Sequence, residues 1–290
     1  MGEHSTVNDS QENALHRAIT TGERPVIEAA ARTDVGVHRR VNEDAVLAEN
    51  GVYIVADGMG GHEAGDLASA AAIGPFAELA ADPRVPDFRV VEATIERSRN
   101  AVDAVSMQTE RGAGCTLTGV VLIEHEGAPH WYVLNVGDSR VYLHRGAQLT
   151  QLTADHSLQA ELLAEGRAEA ASTPRNVITR ALGSDDSRHD AWLLPVHTGT
   201  RLLVCSDGLT TEVPDDEIRA VLTIGGRPAP VADELIRLAR EGGGRDNISA
   251  IVVDTVTAGS AEAAGEAGAL DAHEDVDTAE TLEVTRPVRR

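Results

Sequence analysis

From about residue 27 to about residue 257 the chain alternates short apolar or β-branched runs with glycine and asparagine punctuation. The runs are AVLAE (45–49), VYIVA (52–56), CTLTGVVLIE (115–124), WYVLNVG (131–137), RVYLHR (140–145), RLLVCSD (201–207) and ISAIVVDTV (248–256). Their length and residue types predict strands. Two joins are very short, Glu49 to Val52 across Asn50-Gly51 and Gly137 to Arg140 across Asp138-Ser139. A parallel crossover needs about a dozen residues or more, so both joins predict antiparallel hairpins and disfavour a Rossmann-type βαβ alternation.

Helical spacing appears over roughly 63–80 and 89–110, and again at 156–166, 214–223 and 229–241. The segment VPDDEIRAVL opens with a proline and an acidic first turn, a helix-start signature. Strands come in groups with helices in pairs between them, which predicts an α+β sandwich whose helices cover antiparallel sheets. Residues 1–26 are polar and aperiodic, and 258–290 mix alanine, glycine and acidic residues with a short basic end. Both read as disordered flanks around one domain at 27–257.

Composition narrows the function. A 290-residue chain with 42 % apolar residues can bury a full core, so a folded enzyme is the starting expectation. Few aromatic residues with abundant alanine, glycine, arginine and valine fit a GC-rich bacterial genome. The formal net charge of −22 predicts repulsion from nucleic acid and from anionic membranes. Cys115 and Cys205 sit among apolar or β-favouring residues and read as small buried side chains of a reducing cytosol. Six positions beyond them stand Val121 and Thr211 rather than arginine, so a cysteine-nucleophile phosphatase loop is absent. With no run of 18 apolar residues and no secretory n- or h-region, the expectation is a soluble cytoplasmic protein.

The carboxylates carry the chemistry. Asp57, Asp138, Asp207 and Asp246 each fall at the end of a predicted strand or hairpin beside glycine or asparagine, and Glu43 and Asp44 precede another strand. Singly, an Asp-Gly pair is a common turn former. Together at one sheet edge such acids cannot all ionise without cations between them, which implies a metal. Hard oxygen donors, no cysteine ligands and no HExxH pair favour Mg²⁺ or Mn²⁺ over structural zinc. The glycines of VADGMGGHEAG (55–65) are not followed by Lys-Ser/Thr and lack a βαβ setting, which argues against a nucleotide phosphate loop.

The ordered set TDVGVHRRVNED (33–44), VADGMGGHEAGDLAS (55–69), GCTLTGVVL (114–122), NVGDSRVYLHR (135–145), LTADHSL (152–158), NVITRALG (176–183), LLVCSDGL (202–209) and GRDNISAIVV (244–253) strongly resembles the bacterial PPM-class, or type 2C, metal-dependent protein serine/threonine phosphatases. The resemblance spans about residues 27–256. It implies an α-β-β-α sandwich of two packed antiparallel sheets flanked by helices, with a binuclear metal centre in a cleft at one end. Position by position, Asp57 resembles the carboxylate bridging both metals and Gly58 the residue whose carbonyl ligates one of them. Asp207 and Asp246 resemble ligands of the other, and Glu43 the acid that holds a metal-bound water. Arg39 resembles the substrate-phosphate clamp, a role that suits a planar, permanently charged fork; Arg40 is its rival. Asn42 and Asp44 match as groups that hold Glu43 and its loop.

The implied reaction is attack of metal-bound hydroxide on phosphorus, in line with the departing serine or threonine oxygen and without a phosphoenzyme. Ser139 and Ser206 then read as turn or packing residues. Some family members place a histidine directly after the Asp-Gly pair as general acid; here Met59 stands there and His62 follows three residues later. His62 is therefore a candidate proton donor, with a helix-start or hydrogen-bonding role as the alternative. A third metal site in many bacterial relatives uses the aspartate at Asp138 and an aspartate four residues after Asp207, where this chain has Thr211. The expectation is an intact two-metal core and a weakened third site, with Glu212 or water compensating. Residues 155–182 match a mobile flap beside the cleft.

Expected partners are phosphorylated proteins, including a Ser/Thr kinase and its substrates or a phosphorylated anti-sigma antagonist, acted on by a monomer. Thr278, Thr281 and Thr285 lie in acidic surroundings in the tail and are either kinase targets or unmodified. The competing reading is a catalytically weak PPM-fold regulatory or binding module.

Overall fold

Asn50 and Gly51 both adopt left-handed conformations, with φ of 47° and 84°, as a two-residue type I′ hairpin requires. The chain thereby folds from β2 (Asp44–Glu49) back into β3 (Val52–Gly60), with Asp44 opposite Asp57 and Glu49 opposite Val52. The structure, a computed structural model, describes residues 24–60, 64–110 and 112–259. His62 and the tail threonines lie outside the described residues, as does most of each flank.

Two antiparallel sheets form the centre. One has the order β2-β3-β5-β6-β9, adding β5 (Leu117–His125), β6 (Ala128–Val136) and β9 (Asp190–Pro195), with β4 (Ala113–Cys115) paired to the far end of β3. The other has the order β1-β11-β10-β7-β8, built from β1 (Val26–Asp34), β11 (Ile248–Thr257), β10 (Arg201–Cys205), β7 (Arg140–Arg145) and β8 (Gln148–Gln151). The described α-helices are α1 (Ala64–Ala81), α2 (Phe88–Ser106), α3 (Leu158–Ala164), α4 (Asp207–Thr210), α5 (Asp215–Ile224) and α6 (Pro228–Gly242).

Three apolar layers result. Ile54, Phe76, Ile95, Leu117 and Leu134 join α1 and α2 to the first sheet. Val55, Trp131, Val133, Val204 and Ile251 fill the space between the sheets. Leu203, Ile218, Leu235 and Val252 join the second sheet to α5 and α6. Neighbouring residues such as Ile54 and Val55, or Leu203 and Val204, enter different layers because side chains alternate across a strand. A sheet covered on both faces needs continuous apolar runs, and these are the runs along the central strands. The α-β-β-α sandwich follows directly.

One expected hairpin is not there. β6 and β7 are joined through Gly137-Asp138-Ser139 but belong to different sheets, so this link crosses the sandwich instead of turning back within one sheet. Packed sheets lie about 10 Å apart, a gap that three residues at roughly 3.3 Å each can span. Gly137 makes the bend possible: its φ is 108°, and a Cβ there would lie 2.5 Å from Thr116 Cγ2. Asp138 is consequently placed at the seam between the sheets.

Besides the three-residue β4, the strands without a sequence signal are β1, β8 and β9, all at sheet edges. Their sequences, VIEAAARTD, QLTQ and DAWLLP, are alanine-rich, polar or only half-buried, as edges that face solvent allow. The second helix ends at Ser106, short of the expected 110, and α3 covers only the middle of its expected span, with the Ser157 side chain accepting from Ala160 N.

Candidate metal centre

Asp57 does not leave its strand at a glycine turn, as the sequence suggested. β3 continues to Gly60 and changes partner at Asp57, pairing with β5 over Val52–Val55 and with β4 over Gly58–Gly60. Thr116 fills the break: Asp57 N donates to Thr116 Oγ1 (2.9 Å), and Thr116 N donates to Asp57 O (2.8 Å). Gly58 is required for close approach, because a Cβ there would lie 2.2 Å from Gly65 O and 2.5 Å from Glu43 O. Its N–H donates to Glu43 O (3.1 Å), pinning the Glu43 loop to the strand.

Asp207 also departs from expectation. β10 stops at Cys205, and Asp207 opens the short helix α4 instead of ending the strand. Asp246 lies just before β11, where Arg39 NH2 donates to its Oδ2 (2.7 Å) while Arg39 NH1 stands 3.6 Å from Glu43 Oε2. Arg39 thus joins two of the acids, while Arg40 is exposed. Asn42 Nδ2 donates to Thr33 Oγ1 (2.7 Å), and Asn42 Oδ1 accepts from Asp44 N (3.2 Å).

The acids converge from both sheets, and their electrostatics show it. Burial, reinforced by mutual repulsion, raises Asp44 to about 6, Asp207 to about 6 and Asp138 to about 7. Asp57 is pushed well above the usual carboxylate range by burial and then by Asp44, Asp207, Asp138 and Asp246. Burial raises Glu43 against the opposing charge of Arg39. Asp44 Oδ1 and Asp138 Oδ1 are buried without a hydrogen-bond partner among the described residues. Unpartnered carboxylate oxygens inside a ring of like charge fit divalent cations that take hard oxygen ligands. Among the described residues no three His, Cys, Asp or Glu side chains gather closely enough to hold an ion by themselves. Ligation here would therefore also draw on backbone carbonyl and water, as Mg²⁺ does.

Beside the acids lies a cleft of about 360 Å³, lined by Asp138, Asp207 and Thr211 together with Gln159, Leu163 and Arg175 of the 155–182 segment. That segment is pinched at its neck, where Leu158 N donates to Val177 O and Thr179 N to His156 O. Its root is held by Arg140, which donates from both Nε and NH2 to Asp155. Glu212 does not compensate for Thr211. Its side chain is 1 % exposed and accepts three hydrogen bonds from Arg245, through N, Nε and NH2 (3.1, 2.9 and 2.9 Å).

Ser139 and Ser206 are fully buried, Ser139 Oγ beside Thr116 Oγ1 (2.9 Å) and Ser206 Oγ donating to Asp44 Oδ2 (2.9 Å). The residue the sequence reading missed is Asn247. Only 3 % exposed, it donates from Nδ2 to Val35 O and Val41 O and accepts Glu43 N at Oδ1 (2.8 Å), binding the Arg39–Glu43 loop to the start of β11. An asparagine directly after a candidate ligand at a strand start was the available signal.

Residues 38–252 match the family described as Protein phosphatase 2C. The serine/threonine protein phosphatase PstP of Mycobacterium tuberculosis is 38 % identical over 238 residues, covering 80 % of this chain and 45 % of the relative. This chain thus spans less than half the length of that curated relative. The serine/threonine phosphatase stp of Listeria monocytogenes is 36 % identical over 245 residues, covering 79 % of this chain and 96 % of the relative. A crystal structure of M. tuberculosis PstP superposes with a TM-score of 0.72 at 36 % identity, covering 79 % of this chain and 98 % of that one. The PstP catalytic domain in complex with two manganese ions gives 0.71 at 37 % identity, with the same coverage. By sequence and by fold, the chain belongs to the protein phosphatase 2C family.

Proposed function

We propose that this chain is a metal-dependent protein serine/threonine phosphatase, with residues 27–257 as its catalytic domain, acting on phosphoserine and phosphothreonine of proteins and opposing a Ser/Thr kinase. The observation that carries this reading is the convergence of Asp44, Asp57, Asp138, Asp207 and Asp246 from both sheets into mutual repulsion. Presence of the whole acidic set, Asp57, Asp207 and Asp246, speaks against a silent binding module.

Asp57, Asp207 and Asp246, with the Gly58 carbonyl, would hold two Mn²⁺ or Mg²⁺ ions. When bound, these supply charge neutralisation for the phosphoryl group and acidification of water. Glu43, tethered through its own N–H to Asn247, would hold a water at the site. Arg39 is half-exposed beside Asp246, and its guanidinium can take phosphoryl oxygens in a planar fork that lysine cannot reproduce. Asp138 with Thr211 would make a weakened third cation site facing the cleft, and the 155–182 segment would contact the substrate chain.

The test is phosphate release from a phosphothreonine peptide and from p-nitrophenyl phosphate, with Mn²⁺, Mg²⁺ or chelator, for wild type and Asp207→Asn. Activity should require the metal and fall by about 10² or more in the variant. Metal-independent turnover, or full activity in Asp207→Asn, would sink the mechanism.

A further inference from the structure

Asp44 stands directly opposite Asp57 on the β2–β3 ladder, so the two side chains share a face. Its two oxygens are treated very differently. Oδ2 lies 2.9 Å from Ser206 Oγ and 2.6 Å from Ser249 Oγ, whereas Oδ1 is buried with no partner among the described residues. Both serines are fully buried, and each backbone N–H engages the other residue: Ser206 N donates to Ser249 O (3.1 Å), and Ser249 N donates to Ser206 Oγ (3.0 Å).

Counting protons gives this network a direction. A serine hydroxyl has one proton, and a carboxylate oxygen only accepts. Ser206 Oγ already accepts from Ser249 N, so its own proton goes to Asp44 Oδ2. Ser249 Oγ faces two acceptors, Asp44 Oδ2 at 2.6 Å and Thr33 Oγ1 at 2.9 Å, and its single proton is drawn to the shorter contact with the charged carboxylate. Thr33 Oγ1 in turn accepts from Asn42 Nδ2 (2.7 Å), an amide that can only donate. Ser206 and Ser249 are therefore the two donors to Asp44 Oδ2, with Thr33 and Asn42 bonded in line behind Ser249.

We infer that Ser249 and Ser206, aligned by Thr33 and Asn42, are positioning residues that tie up Asp44 Oδ2 and present Oδ1 to the site, where it accepts a hydrogen bond from a water held among the acids. This rests on the phosphatase reading. Nothing among the described residues satisfies Oδ1, and the charged groups around Asp44 include the carboxylates of Asp57 and Asp207, which cannot donate to it when ionised. A water brought with a cation is a donor of the right kind.

The relay makes an unusual demand on Asp44→Asn. The two serine hydroxyls need an acceptor, so the asparagine oxygen must turn toward them and its NH₂ must point into the site, replacing an acceptor by a donor. The experiment measures kcat and KM on p-nitrophenyl phosphate at saturating Mn²⁺, together with Mn²⁺ affinity by calorimetry, for wild type, Ser249→Ala, Ser249→Thr, Asp44→Asn and the double variant Asp44→Asn/Ser249→Ala. Ser249→Ala should lose about tenfold in kcat with KM within about twofold and weaken Mn²⁺ several-fold; Ser249→Thr, which keeps the hydroxyl, should restore both. Asp44→Asn should lose more than Ser249→Ala, and adding Ser249→Ala to it should change kcat no further. A merely structural serine would instead lower Tm and act additively in both backgrounds. Unchanged kcat and Mn²⁺ affinity in Ser249→Ala with an active wild type overturns the relay alone. An inactive wild type overturns the phosphatase reading and the relay with it.

Discussion

At the scale of single residues, the acids and the arginine have opposing demands. Burial, reinforced by the charge of Asp246, holds Asp207 at a pKa of about 6. Neutralising it as Asp207→Asn should raise the Tm of chelator-treated protein near neutral pH and abolish the upward shift that Mn²⁺ gives the wild type. Thermal unfolding with chelator and with Mn²⁺ reads both effects; a wild-type-sized Mn²⁺ shift in the variant would count against Asp207 as a ligand. Arg39→Lys should be nearly as damaging to kcat/KM as Arg39→Ala, at about 10–100-fold, since a point charge does not replace a fork between Asp246 and a phosphoryl group. Recovery of wild-type kcat/KM in the lysine variant would refute that. Asn247→Ala strands Glu43 N and two carbonyls and should cost about 1–3 kcal/mol in denaturant unfolding, while also lowering turnover through the displaced Glu43 loop.

At the scale of elements, the link between β6 and β7 governs the site. The sequence predicts strands on both sides of Gly137-Asp138-Ser139, and both exist, but only the packing decides that they lie in different sheets. Two strands separated by three residues are compatible with a hairpin or with a step across the sandwich. Which occurs depends on the partners available to each strand, β5 and β9 for β6, β10 and β8 for β7. Gly137→Ala should destabilise the protein by roughly 1–3 kcal/mol, because it combines a positive φ with a collision against Thr116. Gly146→Ala in the β7–β8 turn also has positive φ, at 62°, but meets open space and should be milder. Equal losses at the two positions in urea unfolding would show that the close approach at Gly137 contributes nothing.

At the scale of the whole molecule, the acidic centre sets a pH dependence. Asp44, Asp138 and Asp207 titrate at about 6 to 7 when folded but near 3.8 when unfolded, so between these values the native state binds more protons. Their contribution to metal-free stability therefore falls as pH rises through this window. Divalent cations favour the ionised forms and reverse the trend. The Mn²⁺-induced rise in Tm should be larger at about pH 7.5 than at about pH 5, and equal shifts at both would mean that the cation binds elsewhere.

The sequence by itself determined the central strands, because a sheet covered on both faces writes itself as continuous apolar runs such as VYIVA and RLLVC. It also determined the β2–β3 turn, since Asn-Gly supports the two positive φ values there, and it named the acids. The edge strands β1, β8 and β9 were not legible, because half-exposed edges carry no such pattern. Tertiary structure alone decided that Asp57 stays within its strand while Asp207 starts a helix, that Glu212 is committed to Arg245, and that Asn247, Ser206 and Ser249 hold the site from behind. Those bonds link residues far apart in sequence, 33 positions for Glu212 to Arg245 and more than a hundred for Ser206 to Asp44 or Asn247 to Glu43, and local sequence pattern contains no term for them. A carboxylate's residue type is local, whereas which of its two oxygens is free depends on which distant strands pack against it.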